Sequence, residues 1–302
     1  MIDLLMATYN GEKFLSTQLD SILCQTYTDW HLYIQDDCST DKTIEILKKY
    51  ESKDSRIIIV DNNKKLGAGR NFLSLLKYST ADFIAFCDQD DYWFENKLEQ
   101  LYVNIKKYDK KKPVLLVSDC LVWQYPSNII SKNYNFVMPQ RIDDVFFMGG
   151  MQGCLTIFNK ALKTILDKNY EYVWLHDHYL LLAAMTFGNI YYLKRPLMLY
   201  RQHESNTTAH FSQKQISDVA KKITDNRFLL KKELFNETKE FFRINMNSMP
   251  QIQKEAFEKF LQLENQPFIT RLLKILFSKY TVGGSSHLYL FIKAILKTKF
   301  IG

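Results

Sequence analysis

Phe83-Ile84-Ala85-Phe86-Cys87-Asp88-Gln89-Asp90-Asp91 is the stretch from which the architecture can be read. Five apolar residues end abruptly on a run of carboxylates, the pattern of a short buried strand with an acidic loop at its carboxyl end. Upstream, Leu32-Tyr33-Ile34-Gln35 runs into Asp36-Asp37 in the same way. In an open α/β sheet the ligand crevice lies outside the carboxyl ends of the strands. Two acidic clusters at neighbouring strand ends therefore set fixed negative charge on one rim. Crowded carboxylates oppose each other's ionisation, and a divalent cation with a phosphate-bearing ligand resolves that conflict.

Working outward, Ile2-Asp3-Leu4-Leu5-Met6-Ala7 reads as a first core strand rather than a signal peptide. Thr8-Tyr9-Asn10-Gly11 then turns into a helix carrying Phe14, Leu15, Leu19, Ile22 and Leu23. Ser39-Thr40-Asp41 supplies N-cap candidates for a helix with Ile44, Leu47 and Tyr50. Ile57 to Val60 is a third strand, and Gly67-Ala68-Gly69 opens a helix through Phe72, Leu75 and Leu76. Strands alternating with helical patterns predict a largely parallel βαβ sheet. Further strands are expected at 114–118 and 155–158, with one or two more, broken at Pro196, from Tyr191 to Tyr200. Asp177 heads a helical run from Tyr179 to Phe187 that Gly188 stops. From about Phe211 the pattern is helical with no strand signal. The expected division is an α/β catalytic part, 1–210, and a helical C-terminal region, 211–302.

Apolar residues make up 46% and charged residues 24% of the 302, so a globular core is expected rather than disorder. Aromatics at 14% are high, and most are expected in that core. The five cysteines form no C-x-x-C pair, which disfavours a disulfide framework or zinc knuckle and favours a reducing compartment. No apolar run approaches the roughly 18 residues of a membrane span. The net charge of +7 is uneven: Gln266 to Gly302 carries Arg271, Lys274, Lys279, Lys293, Lys297 and Lys299 and no acidic residue. Cations alternating with apolar residues there read as basic amphipathic helices, which lie on anionic bilayers; packing on the body or on a second subunit is the other reading. With the charge in an amphipathic tail and no recognition motif, nucleic acid is not an expected partner.

Gly67-Ala68-Gly69 lacks the spacing of a dinucleotide fingerprint, and neither a P-loop nor a G-x-S-x-G elbow occurs. Adjacent Asp36 and Asp37 diverge to opposite faces of an extended segment, so they do not form a glycosidase pair by themselves. Asp88 and Asp90, two apart, share a face. Magnesium and related hard cations bind through one or two carboxylates, water and substrate phosphates. Arg201 has the fork geometry for phosphate. His203, in a polar loop after a strand, is a candidate for a metal or diphosphate contact, better suited to Mn²⁺ than to Mg²⁺.

Taken together, Thr8-Tyr9-Asn10-Gly11-Glu12, Gln25-Thr26-Tyr27, Asp36-Asp37-Cys38-Ser39-Thr40-Asp41, Asn71-Phe72 and Phe86 to Trp93 resemble a family 2 glycosyltransferase of the GT-A fold. Within it the chain is most similar to the bacterial rhamnosyltransferase-like branch, which builds surface polysaccharides; His176-Asp177-His178 and Tyr200-Arg201-Gln202-His203 fit that branch too. The resemblance covers roughly residues 1–210. It implies Thr8 and Tyr9 near the nucleotide and Asp37 on the pyrimidine base. Asp90 is implied as metal ligand, with Asp88 a second ligand or ribose contact and Asp91 an alternative. Asp177 matches the catalytic base, which takes the acceptor hydroxyl's proton in an inverting transfer; from the residues alone, a helix-capping role is the alternative.

The resulting expectation is an inverting, Mg²⁺- or Mn²⁺-dependent glycosyltransferase. Its donor would be a nucleotide-diphosphate sugar, dTDP-L-rhamnose or a UDP-hexose, and its acceptor a saccharide, plausibly lipid-linked. It would sit in the cytoplasm at the inner face of the cell membrane, with oligomerisation open. The alternatives are a catalytically silent nucleotide-sugar-binding scaffold and, on a similar sheet, a sugar nucleotidyltransferase, against which Thr8-Tyr9-Asn10-Gly11 replaces the expected G-x-G-T-R-like loop.

Overall fold

A computed structural model of the chain describes residues 1–131, 137–148, 151–204, 206, 228–282, 287–297 and 299–302. Strand β1 (Ile2–Thr8) is the hub of the sheet, with Ile2, Leu4, Leu5 and Met6 all without solvent exposure. It pairs in parallel with β2 (Trp30–Asp36) on one side and β4 (Phe83–Cys87) on the other, and β2 pairs in parallel with β3 (Ile57–Ile59). A parallel strand covered on both faces reads as a near-continuous apolar run, which is why β1 and β4 do so. Asp3, buried within β1, has one carboxylate oxygen fully engaged. Its Oδ2 accepts from Ser79 Oγ and from the amides of Thr80 and Ala81, each at 2.8 Å, which ties the turn before β4 to the middle of the sheet.

Helices α1 (Leu15–Leu23), α2 (Thr43–Glu51) and α3 (Ala68–Ser74) make the crossovers. Beyond β4 the sheet turns mixed: β8 (Thr156–Asn159) is antiparallel to both β4 and β6 (Val114–Gln124). Strand β9 (Asn189–Gln202) runs parallel to β6 and antiparallel to β5 (Tyr92–Trp93). The full order is β3-β2-β1-β4-β8-β6-β9-β5, with β7 (Ile129–Ser131) paired to β6. Helices α4 (Lys97–Ile105), α5 (Lys160–Leu166) and α6 (His176–Phe187) complete this part.

Two elements depart from the expected pattern. Strand β9 does not break at Pro196. That residue pairs with Asp119 where the register of β6 and β9 slips on either side, and such an irregularity tolerates the missing N–H. The C-terminal region is also not purely helical. Alongside α7 (Lys232–Asn245), α8 (Gln251–Leu261), α9 (Phe268–Leu276) and α10 (His287–Leu296) it holds β10 (Phe228–Leu230) and β11 (Lys299–Ile301), a parallel pair. Three-residue strands carry too little alternation to be seen in sequence.

The expected boundary near 210 lies outside the described residues, as do Gly149 and Gly150. The core is nevertheless continuous across it. Phe146 stacks on Phe260 at 4.4 Å and meets Phe257 edge-on at 5.0 Å, and Tyr179 of α6 packs edge-on against Phe241 of α7 at 5.1 Å. Much of the aromatic excess is used here, where ring pairs add about 0.5–1.5 kcal/mol each beyond their area.

Candidate active site

Because β1 lies between β2 and β4, both acidic clusters flank its carboxyl end. Thr8 Oγ1 donates to Asp36 Oδ1 at 2.8 Å, while Asp36 also accepts from the Ser39 amide at 2.7 Å and the Ser39 hydroxyl at 2.6 Å. Asp36 thus closes the β2 turn. Asp37 faces the other way, its two oxygens accepting from the amides of Leu66 at 2.6 Å and Gly67 at 2.9 Å. Gly67 has φ of +79°, a left-handed conformation that only glycine adopts without strain. Tyr9 is 42% exposed, and Lys65 Nζ lies 3.6 Å from its ring centroid. The Asp37 amide donates to the Thr8 carbonyl at 2.8 Å, so Thr8, Tyr9 and Asp37 lie together at the carboxyl ends of β1 and β2, beside the Tyr9 ring face and Lys65.

The second cluster is locked onto the turn after β1 by Gln89. The Tyr9 amide donates to Gln89 Oε1 and Gln89 Nε2 donates to the Tyr9 carbonyl, each at 3.0 Å. Asp90 Oδ2 lies 2.9 Å from His203 Nε2. Asp91 is fully buried; its Oδ1 accepts from the Arg201 amide at 3.0 Å, and its Oδ2 has no partner. Asp88, Asp91 and Cys154 bring their ligand atoms within 4.8 Å of one another. The structure therefore groups Asp88 with Asp91, and Asp90 with His203.

Burial, reinforced by the nearby Asp90 charge, pushes Asp88 up to about 7. Burial raises Asp91 well above the usual carboxylate range, with the Asp90 and Asp88 charges adding to it. A buried cation partly offsets this negative charge. Lys97 donates to the Cys154 carbonyl at 2.6 Å and lies 3.9 Å from the centroid of the Trp93 ring. Arg201 is buried, its guanidinium carbon 3.7 Å from the Trp123 centroid and 4.6 Å from that of Phe14. Its Nε donates to the Asp90 carbonyl at 2.7 Å, and its Nη2 has no partner.

Asp177 enters from α6. It lies in the first turn, but the N-cap position belongs to Leu175, so capping does not account for it. Asp177 is 8% exposed and accepts from the His178 amide at 2.7 Å. Burial raises its pKa well above the usual range, with the Glu237 and Asp88 charges also raising it; the latter places Asp177 and Asp88 in one electrostatic environment.

The flanking histidines hold this turn in place. His176 stacks on Phe72 at 3.8 Å and meets Phe86 at 4.8 Å, with both ring nitrogens unpartnered. Gly153 has no room for a Cβ because the His176 ring lies against it. His178 Nδ1 lies 2.5 Å from Glu237 Oε1 on α7, and Glu237 Oε2 accepts from the amides of Trp174 at 2.5 Å and Leu175 at 2.7 Å.

Gln89, Cys154, Lys97 and Glu237 were not among the site residues expected from sequence. Gln89 occupies the uninformative middle of D-x-D, and Gly153-Cys154, after a glycine-rich turn, suggests in sequence only a close backbone approach to donor or acceptor. Nothing in the sequence around Lys97 marks it as buried. Nothing local to Glu237 signals a bond to a residue 59 positions earlier.

The sequence profile of the family described as Glycosyl transferase family 2 matches residues 3–166, more than half of the chain and inclusive of both acidic clusters and Cys154. The chain belongs to that family. This family 2 glycosyltransferase is 36% identical to the dTDP-rhamnosyl transferase RfbG of Shigella flexneri over 225 residues, 67% of this chain and 72% of that one. It is 32% identical over 196 residues to the UDP-Glc:alpha-D-GlcNAc-diphosphoundecaprenol beta-1,3-glucosyltransferase WfgD of Escherichia coli, covering 63% and 72% of the two chains. Among solved structures it resembles Staphylococcus aureus TarS 1-349 in complex with UDP-GlcNAc, with a TM-score of 0.59 at 18% identity over 92% of this chain and 73% of that one. It also resembles the mannosyltransferase PcManGT from Pyrobaculum calidifontis in complex with GDP-Man and Mn²⁺, with a TM-score of 0.55 at 15% identity over 98% and 86%. At such identities the structural likeness establishes the GT-A fold alone.

The carboxylate cluster of the family 2 chain fits a hard divalent cation. Asp91 Oδ2 is a buried oxygen with no donor. Burial holds the Cys154 thiol protonated, leaving carboxylate oxygens as the ligands that Mg²⁺ or Mn²⁺ prefers.

Proposed function

We propose that the chain transfers a sugar, with inversion, from a nucleotide-diphosphate donor to a saccharide acceptor carried on a lipid diphosphate, in the assembly of a surface polysaccharide. The names of its relatives support dTDP-L-rhamnose as the first donor to test and a UDP-hexose as the second. The reading is carried by one observation: the His176 ring of the Asp177 turn lies against Gly153, whose neighbour Cys154 belongs with Asp88 and Asp91 to the carboxylate cluster.

In this reading Thr8, Tyr9 and Asp37 receive the nucleotide. Asp37 still has acceptor capacity beyond the Leu66 and Gly67 amides, and a carboxylate accepting from N3–H favours uracil or thymine over cytosine. Asp88 and Asp90, with Asp91 and His203 beside them, would hold a divalent cation, which would offset charge developing on the diphosphate leaving group. Arg201, with its unpartnered Nη2, braces the Asp90 loop and faces the diphosphate. Asp177 takes the proton of the attacking hydroxyl, and its raised pKa makes it a better base. Residues 1–210 form the catalytic part and 211–302 the C-terminal part, with the enzyme at the cytoplasmic face of the cell membrane.

Calorimetric titration with UDP and with dTDP, each with and without Mn²⁺, tests the donor site; metal-dependent binding is expected, and tighter binding of dTDP supports a rhamnosyl donor. Asp177→Asn should reduce turnover by about 10²- to 10⁴-fold while leaving donor binding within a factor of about two. Turnover near that of the native chain would remove Asp177 from the role of base.

A further inference from the structure

The outer faces of α9 and α10 are apolar and uncovered. On α9, Ile269 is 70% and Leu273 49% exposed, and Phe277 just beyond it is 82% exposed; on α10, Leu288 is 62% and Leu296 56% exposed. The inner faces are already used: Arg271 and Ile275 of α9 and Leu290 and Ala294 of α10 are buried, with the Arg271 guanidinium 5.3 Å from the Phe300 ring centroid. An exposed apolar patch of this kind marks an interaction surface.

Charge selects the occupant. Between Gln266 and Gly302 the sequence has six basic and no acidic residues, and Lys274, Lys279 and Lys299 are exposed among those described. A second copy docking through the same face would set like charge against like, because a two-fold interface is self-complementary. An anionic bilayer offers acyl chains to the apolar stripe and negative headgroups to the lysines. No described helix is long and apolar enough to cross a membrane, so the helices would lie in the interfacial plane.

The face is tied to the segment that precedes the carboxylate cluster. Arg141 Nη2 donates to the Lys279 carbonyl at 2.9 Å, and Thr281 Oγ1 donates to Asp144 Oδ1 at 2.8 Å. Tyr280 packs against Phe147 at 5.6 Å. Cys154, seven residues beyond Phe147 in sequence, belongs to the carboxylate cluster. We infer that the α9–α10 face is a bilayer-docking surface for anionic phospholipid, which holds the acceptor side of the active site at the headgroup layer. The inference rests on the proposed function for its purpose but not for its measurement.

The experiment is flotation of the full chain with phosphatidylcholine vesicles, with and without phosphatidylglycerol. Binding should require phosphatidylglycerol and weaken with added salt. A basic residue near an anionic surface contributes about fivefold in affinity, so Lys274→Ala with Lys279→Ala should weaken binding by roughly twenty-five-fold. Ile269→Ser with Phe277→Ser, both at exposed positions, should abolish flotation with unchanged thermal unfolding. Equal binding to neutral vesicles, or native binding by both double variants, overturns the inference. So does a dimer in sedimentation that Phe277→Ser dissociates while no lipid binds. Donor titration on the same variants should be unchanged, which separates failure of this surface from failure of the transferase reading.

Discussion

Glu237 Oε1 lies 2.5 Å from His178 Nδ1, and through this contact the C-terminal helix α7 grips the turn that presents Asp177. The other Glu237 oxygen takes the Trp174 and Leu175 amides, so one fully buried carboxylate serves three donors. The next turn of α7 repeats the device. Glu240 accepts from the Glu171 amide at 2.6 Å while paired with Arg243 at 2.7 Å.

Glu237→Ala should therefore cost about 3–5 kcal/mol of stability, as breaking a buried hydrogen-bonded pair does. Glu237→Gln keeps the shape and should cost about 1–3 kcal/mol. In that variant kcat should fall at least about tenfold with the donor KM unchanged, measured by initial rates beside denaturant unfolding. A KM rise with kcat intact would mean that Glu237 serves the donor pocket instead.

Metal dependence should follow Asp91 as well as the D-x-D residues. Asp91→Asn replaces a buried carboxyl group whose Oδ2 lacks a donor, so the metal-free variant should unfold at or above the native temperature. The stabilisation that Mn²⁺ gives the native chain should disappear in it. Thermal scans with Mn²⁺ and with a chelator decide this; an undiminished Mn²⁺ shift would leave Asp91 outside the ligand set.

His176 supplies an acid sensitivity with a defined sign. Burial lowers its pKa from 6.5 to about 3, so between those values the unfolded chain binds a proton that the native chain does not. The stabilisation from this group is complete above 6.5 and is lost as pH falls towards 3. From pH 6.5 to 5 the loss is about 2 kcal/mol. His176→Phe should flatten the fall in unfolding temperature over that interval; an identical fall in both proteins would assign the sensitivity elsewhere.

Cys38 should report on the nucleotide crevice. It is exposed, follows Asp37 directly and sits at φ of +65°. Of the other cysteines, only Cys24 is exposed. Maleimide should label both, and UDP or dTDP with Mn²⁺ should slow labelling of Cys38 but not of Cys24, as read by peptide mass spectrometry. Equal protection of the two would indicate a general conformational effect.

The central sheet was legible because its strands are continuous apolar runs ending in charge: β1, β2 and β4 lie where Ile2, Leu32 and Phe83 begin such runs. Both acidic clusters could be placed on one rim by the rule for parallel sheets alone. What escaped depends on contacts far apart in sequence. Pro196 reads as a breaker until Asp119 is seen opposite it in a slipped register. Gln89 is unremarkable until its amide closes on the Tyr9 backbone. Glu237 looks like a surface acid on an amphipathic helix, yet its partners are fixed by how α7 lies across α6.

The parallel pairing of Phe228 with Lys299 also orders events in time. It closes a loop of about seventy residues, a slow, entropically costly contact, around the helix that carries Glu237. During synthesis, the first four parallel strands can assemble long before α7 emerges. The Asp177 turn would acquire its Glu237 clamp only late, leaving a stage of synthesis in which the parallel half of the sheet stands while the proposed base is not yet fixed in place.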